Sequence, residues 1–245
     1  MKVAVVVPTY NEHENVQPLV RDILALGRVN QVIVVDDNSP DGTGALADQL
    51  AAQDERVVVV HRPGKAGLGR AYIAGFEKAL ELGSTIILTM DADFSHHPCY
   101  IPPMLDLLNG KGYDIVIGSR YIPGGGTRHW GIRRQVLSAG ANGVARLLLG
   151  LQAHDCTAGF RAYRSNVIQR IPLNEIRSNG YSFLVEMLYR CQRHGFRVGE
   201  VPIIFEDRRK GQSKISQDEI VKAMLTVFRL SLDRISARLR RRRTH

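Results

Sequence analysis

Residues 84–97 read STIILTMDADFSHH, and the way this stretch ends decides how the chain is built. Its first half is an apolar run of the kind that forms a buried strand. Asp91 and Asp93 then close it, one residue apart. Alternate residues of an extended segment point to opposite faces, so both carboxylates serve one site only if the chain turns there. Ser95-His96-His97-Pro98 suggests that turn. Like charges at the end of a core strand repel unless a cation lies between them. Two hard oxygens at this place suit Mg²⁺ or Mn²⁺, held by one or two carboxylates and a substrate diphosphate. The bland alternative is a solvated loop with two capping acids before Pro98.

Short β-branched runs recur on either side of this stretch. Val3–Pro8, Gln31–Asp37, Val57–Arg62, Thr85–Asp91 and Asp114–Tyr121 are predicted strands. Helical spacing falls between them at Asn15–Leu26, Thr43–Ala52, Leu68–Leu82 and Cys99–Leu108. The alternation predicts an α/β fold, a Rossmann-like, mostly parallel mixed sheet flanked by helices. Ligands of such sheets bind outside the carboxyl ends of the strands. Pro8-Thr9-Tyr10-Asn11-Glu12, Asp36-Asp37, Asp91/Asp93 and Ser119-Arg120-Tyr121 all fall there. Beyond the loop Pro123–Thr127 the pattern predicts a helix at Gln135–Leu149, a strand at Thr157–Tyr163, a helix at Ser182–His194 and a strand at Arg197–Asp207. Arg208 to Lys214 is a basic, glycine-containing loop. From Gln217 to about Leu239 the residues Ile220, Val221, Met224, Leu225, Phe228, Leu232 and Ile235 form one apolar face, with Arg229 among those opposite, an amphipathic helix.

The 245 residues carry a formal charge of +9, partly concentrated at Arg238 and Arg240–Arg243. That excess favours an anionic partner: nucleic acid, phosphorylated small molecules or an anionic membrane surface. Nucleic acid is disfavoured, because no aromatic-rich binding motif accompanies the arginines and the strand-end acids would be left unexplained. Cys99, Cys156 and Cys191 are far apart and indicate neither a disulfide framework nor a zinc site, which points to a reducing cytosol. The N-terminus does not read as a signal peptide, and no apolar run reaches the roughly 18 residues of a spanning helix. The expectation is a chain that is soluble or rides on a membrane.

Among the remaining candidates, Asp37 stands where such sheets hold a ribose or base edge, while Asp41 serves the turn before a helix N-terminus. The first strand–helix turn, PTYNE, lacks a dinucleotide glycine fingerprint. Lys65, in the glycine cluster Gly64–Gly69, is placed to approach an anion. His96 or His97 could touch the metal or a phosphate, but the favoured reading is a partly buried histidine satisfied by backbone, and neither is assigned to the site. Arg120, Arg133, Arg134, Arg208 and Lys214 form a basic set suited to phosphate, with Arg208 and Lys214 on a loop fit to close over an anion.

Taken together, PTYNE, DDNSPDGT, MDADFSHHP, GSRY, DCTAGFRAYR, GYSFLVEM and FEDRRKGQSK resemble a family-2 glycosyltransferase of the dolichyl-phosphate (polyprenyl-phosphate) mannose synthase type, from about Val3 to Lys214. The resemblance implies a GT-A fold with a catalytic domain over 1–214, a nucleotide-binding half at 1–121 and an acceptor half at 122–214, followed by a helix and basic tail at 215–245. It implies inverting transfer of mannose from GDP-mannose to a dolichyl or polyprenyl phosphate; a UDP-glucose-dependent glucosyltransferase shares the early motifs. Carried over by residue, Pro8, Tyr10, Glu12, Val35 and Asp37 hold the guanosine. Asp91, Ala92 and Asp93 hold the sugar diphosphate and the metal, Mg²⁺ or Mn²⁺. Arg120, Arg208 and Lys214 contact phosphates, and with Asp93 they form the catalytic set. Ser95 occupies a position where some members place a metal-binding glutamine. Many members carry C-terminal spanning helices and this chain has none. It is therefore expected at the cytoplasmic face of a membrane, through its amphipathic helix, its arginine tail or a separate anchor protein.

Overall fold

The computed structural model describes residues 1–110, 112–206 and 223–234. Valine- and isoleucine-rich segments of the first half form five strands of a sheet, with the third at its partly exposed edge. They are β1 (Val3–Thr9), β2 (Gln31–Asp36), β3 (Val57–His61), β4 (Ile86–Thr89) and β5 (Ile115–Ser119). Helices α1 (His13–Ala25), α2 (Thr43–Gln53), α3 (Leu68–Glu81) and α4 (Ile101–Gly110) connect them. The second half adds β6 (Gly126–Arg128), α5 (Ile132–Leu149), β7 (Arg161–Arg164), α6 (Ser165–Arg170), α7 (Tyr181–Arg193), β8 (Val198–Pro202) and β9 (Ile204–Glu206).

The seven-stranded sheet has the order β3-β2-β1-β4-β7-β5-β8, and a separate pair joins β6 to β9. β7 runs antiparallel between β4 and β5, while the other neighbouring strands are parallel. Parallel strands deliver their carboxyl ends to one edge, so β1, β2, β4 and β5 bring their terminal residues together. This is the mostly parallel mixed sheet expected from the alternation of periods.

Helix α3 lies against the sheet beneath the site. A Cβ on Gly75 would come within 2.2 Å of the Val6 side chain, so only glycine permits this approach. An aromatic column runs through the same layer: Phe183 on α7 stacks on Tyr72 at 6.1 Å, Tyr72 on Phe76 at 6.3 Å, and Phe76 meets Tyr163 edge-on at 5.6 Å.

Several boundaries differ from expectation. β4 stops at Thr89, because Met90 onward leaves the ladder for a turn. The expected strand at Thr157–Tyr163 pairs only from Arg161, since the preceding backbone is held by side chains of Asp155 and Arg161. The expected strand at Arg197–Asp207 is two: buried Ile203 breaks it, so that β8 pairs with β5 and β9 with β6. The short β6 and α6 carry too few residues to show a period.

Residues 223–234 form a helix. The apolar face foreseen from the sequence is turned outward, with Met224, Leu225, Phe228 and Leu232 exposed. The opposite side faces the body: Val227 and Leu230 are buried, and Arg229 Nη2 donates to Glu186 Oε2 at 2.7 Å. The rest of that foreseen helix, the basic loop and the arginine tail lie outside the described residues. Among the described residues no helix is long and apolar enough to cross a membrane.

Candidate active site

The chain turns after β4, as a site shared by the two acids requires. Phe94 takes φ 61°, a left-handed conformation that a large side chain rarely adopts. Asp93 is buried, and its Oδ1 accepts the Ser95 N–H at 3.0 Å. Asp91 keeps 28% of its side chain exposed. Its Oδ1 accepts from the Tyr72 hydroxyl at 3.1 Å, and its Oδ2 lies 3.8 Å from His96 Nδ1, beyond hydrogen-bond reach. Ser95 is buried, and its carbonyl accepts the Glu206 N–H at 3.3 Å.

His96 corrects the expectation of a backbone-satisfied histidine. It is buried between Phe160 (5.3 Å) and Phe205 (5.2 Å), and its Nδ1 has no hydrogen-bond partner among the described residues. Burial pushes its pKa down against the pull of Asp91 and Asp93. His97 is exposed and accepts the Cys99 N–H at 3.2 Å, which does agree with a backbone role.

At the end of β2 the adjacent acids divide their tasks. Asp36 is structural: Thr9 Oγ1 donates to its Oδ1 at 2.9 Å, as does Ser39 Oγ at 2.6 Å, and Ser39 N–H reaches Oδ2 at 2.9 Å. Asp37 pairs with Arg62, which follows β3. Burial raises the Asp37 pKa, opposed by the Arg62 charge and hydrogen bond. Asp41 serves the turn as expected, accepting from Thr43 N–H at 3.0 Å and His13 N–H at 3.1 Å. Lys65 Nζ sits 4.5 Å from the centre of the Tyr10 ring, bringing the glycine cluster over the end of β1. Pro8 and Val35 are register partners, and the Val35 side chain is wholly buried, so Val35 faces a ligand only through its backbone. Glu12 ends the same segment, holding Asn15 Nδ2 at 2.8 Å.

At the end of β5, Arg120 is gripped on both sides by Asp155, Nε to Oδ2 and Nη2 to Oδ1 at 2.7 Å each, and Nη2 also reaches Thr157 Oγ1 at 2.8 Å. Burial acts to raise the Asp155 pKa, but the Arg120 charge and hydrogen bonds, with Arg161 beyond, outweigh it and hold it below the usual carboxylate range. Arg161 is fully buried and donates to three carbonyls, of Ala158, Leu184 and Cys156, at 2.8 Å each. Trp130 and Phe205 flank the Arg120 guanidinium at 5.6 and 5.5 Å. Arg134 stacks over Trp130 at 4.1 Å, Arg133 is exposed, and Arg208 and Lys214 lie outside the described residues.

The strand-end residues named from the sequence thus share one edge of the sheet. Arg62, Tyr72, Asp155 and Arg161 were missed as their partners. For Arg62 a signal existed, since the third predicted strand ends in a cation beside a second that ends in an acid. Among the described residues no three His, Cys, Asp or Glu side chains form a closed metal nest. The partly exposed Asp91, with Asp93 buried behind it, offers hard oxygens of the kind that suit a hard cation completing its shell with water and phosphate oxygens.

A sheet with this strand order and acids at its strand ends opens a ligand-binding edge outside the carboxyl ends of its parallel strands. The sequence pattern of glycosyl transferase family 2 matches residues 4–171, and the chain belongs to that family. It is 49% identical over 230 residues to the polyprenol monophosphomannose synthase of Mycolicibacterium smegmatis, covering 91% of this chain and 84% of that one. To the undecaprenyl-phosphate mannosyltransferase of Micrococcus luteus it is 44% identical over 238 residues, 95% of each chain. Its fold is GT-A: glucosyl-3-phosphoglycerate synthase from Mycobacterium tuberculosis, crystallised with Mn²⁺, UDP and glucosyl-3-phosphoglycerate, superposes with a TM-score of 0.67 at 20% identity, over 94% of this chain and 80% of that one.

Proposed function

We propose that this chain transfers mannose from GDP-mannose to the phosphate of a polyprenol, converting the α-linkage of the donor to β. The observation that carries this reading is the convergence of Tyr10, Asp37, Asp91, Asp93 and Arg120 at one sheet edge, in a chain 49% identical to a polyprenol monophosphomannose synthase. Pro8, Tyr10, Glu12, Val35 and Asp37 receive the guanosine, with Lys65 beside the phosphates. Asp91 and Asp93, with Ala92 between them, hold Mg²⁺ or Mn²⁺ against the diphosphate, and Ser95 stiffens their turn. Bound there, the cation offsets charge growing on the departing nucleotide.

The acceptor is a phosphate monoester whose second pKa is about 6, so at neutral pH it is already an anionic nucleophile. The protein then needs no general base, only the means to bring two anions together in line. Arg120, Arg208 and Lys214 supply that positive charge.

The lipid acceptor calls for a surface that meets a membrane, and the molecule has an apolar one. Ile132 (78% exposed), Val136, Leu137, Leu147 (81%) and Leu148 project from α5, and Met224, Leu225, Phe228 and Leu232 from helix 223–234. Arg234 Nη1 ties the two helices, donating to the Leu148 carbonyl at 2.9 Å. Arg133 and Arg134 stand at the end of α5 nearest Arg120, suited to anionic headgroups. Peripheral association through this face is part of the proposal.

Purified protein incubated with labelled GDP-mannose or UDP-glucose and a short polyprenyl phosphate tests the reading. Label extractable into lipid from GDP-mannose alone, abolished by EDTA, is the expected result; lipid label from UDP-glucose instead, or none, overturns it.

A further inference from the structure

Tyr72 lies on α3, away from every motif that defines the site, and is wholly buried. Its ring is fixed from two sides by Phe76 and Phe183. Its hydroxyl donates to Asp91 Oδ1 at 3.1 Å. The space for that bond is kept by Gly159, where a Cβ would stand 3.1 Å from the Tyr72 oxygen and 3.4 Å from Asp91 Oδ1. Gly159 is itself stapled to the sheet, its carbonyl accepting from Thr89 Oγ1 at 2.6 Å.

A buried phenol needs a partner, and any acceptor would satisfy it. Here the partner is a partly exposed acid on a turn whose backbone is strained at Phe94. The terminal torsion of an aspartate is broad, so an unpinned carboxylate samples many orientations. A donor on one oxygen, carried by a ring that cannot move, fixes the plane of the carboxylate and so the direction in which it meets a cation. Outer partners that orient metal-binding carboxylates act in this way.

We infer that Tyr72 is a positioning residue for the metal site: its hydroxyl, held by the Phe76–Tyr72–Phe183 stack, sets the orientation of Asp91 toward a divalent cation. This rests on the reading of Asp91 and Asp93 as the cation's ligands. It also links α3 and α7 to the acidic turn through one hydrogen bond.

The test is Mn²⁺ titration of the full chain, followed by the paramagnetic resonance of free Mn²⁺, alone and with GDP. Tyr72→Phe removes the donor and keeps the ring; Gly159→Ala presses on the same bond from the other side; Asp91→Asn controls for the site. Tyr72→Phe is expected to weaken Mn²⁺ binding about tenfold, the lower end for loss of such a partner. It should raise the Mn²⁺ needed for half-maximal transfer, leave the rate at saturating Mn²⁺ within about twofold, and keep the melting temperature near that of the parent. Gly159→Ala should weaken Mn²⁺ binding in the same direction. Parent-like Mn²⁺ affinity in Tyr72→Phe, with binding lost in Asp91→Asn, would show that Tyr72 only packs and would overturn the inference alone. Parent-like affinity in Asp91→Asn would overturn the metal reading and this inference together.

Discussion

Asp155 and Arg120 form an ion pair of which Asp155 is wholly buried and Arg120 keeps only 8% of its side chain exposed. Such a pair contributes little net stability over an apolar core, but breaking it strands a buried charge. Asp155→Asn is therefore expected to cost about 3–5 kcal/mol in urea unfolding at pH 7. The pH dependence has a definite sign. Because Asp155 has a depressed folded-state pKa, its stabilisation is full above the usual carboxylate range and is lost as pH falls through the folded value. The difference between parent and variant should thus shrink in acid; a constant difference from pH 7 down to pH 3 would contradict the assignment. The role of Arg120 follows from the same pair. Its bidentate grip on Asp155 fixes the guanidinium at the end of β5, so Arg120→Lys, which loses the planar fork, should lower kcat/KM by at least about tenfold although charge is retained.

Elements bring these residues together, and packing between elements is where sequence reading ran out. The β1–β5 runs and α1–α4 were legible because apolar period and turn residues agree over four or more residues. β6, three residues long, has no period to read, and the break at Ile203 that parts β9 from β8 left no mark in the apolar pattern. Tyr72 looked like any apolar position on the buried stripe of α3, and only the fold reveals that its hydroxyl meets Asp91, nineteen residues on. Asp155 opens the DCTAGFRAYR motif, but its partner is 35 residues earlier, at the end of another strand. The strand ends themselves were legible, because parallel strands must open on one edge. The seat of α3 can be tested directly. Gly75→Ala should destabilise the protein by about 1–3 kcal/mol, since the added methyl overlaps Val6 in a filled core. Shortening Val6 to alanine in the same chain should recover part of that loss. Additive costs in the double variant would mean that α3 does not rest on Val6.

At the scale of the whole molecule, the charge and the apolar surface fall into a consistent arrangement. The sheet edge carries the acids and the first arginines, while α5 and helix 223–234 turn leucine, isoleucine and phenylalanine side chains to solvent. Large contiguous apolar patches on a folded surface mark interaction sites. Leu137→Glu combined with Leu147→Glu should abolish co-sedimentation with vesicles containing anionic lipid and leave the melting temperature unchanged, because both side chains already face solvent. Binding of the parent should weaken as salt rises. Unchanged sedimentation of the double variant would place the contact elsewhere.

On the proposed mechanism the acceptor phosphate attacks without help from a protein general base. The direct measurement is kcat/KM against pH for two acceptors, a polyprenyl phosphate and the matching phosphonate, whose second pKa is higher. The acid limb is predicted near pH 6 for the phosphate and shifted upward for the phosphonate, following the acceptor. A limb that stays at the same pH for both acceptors would show a titrating protein base and contradict the account.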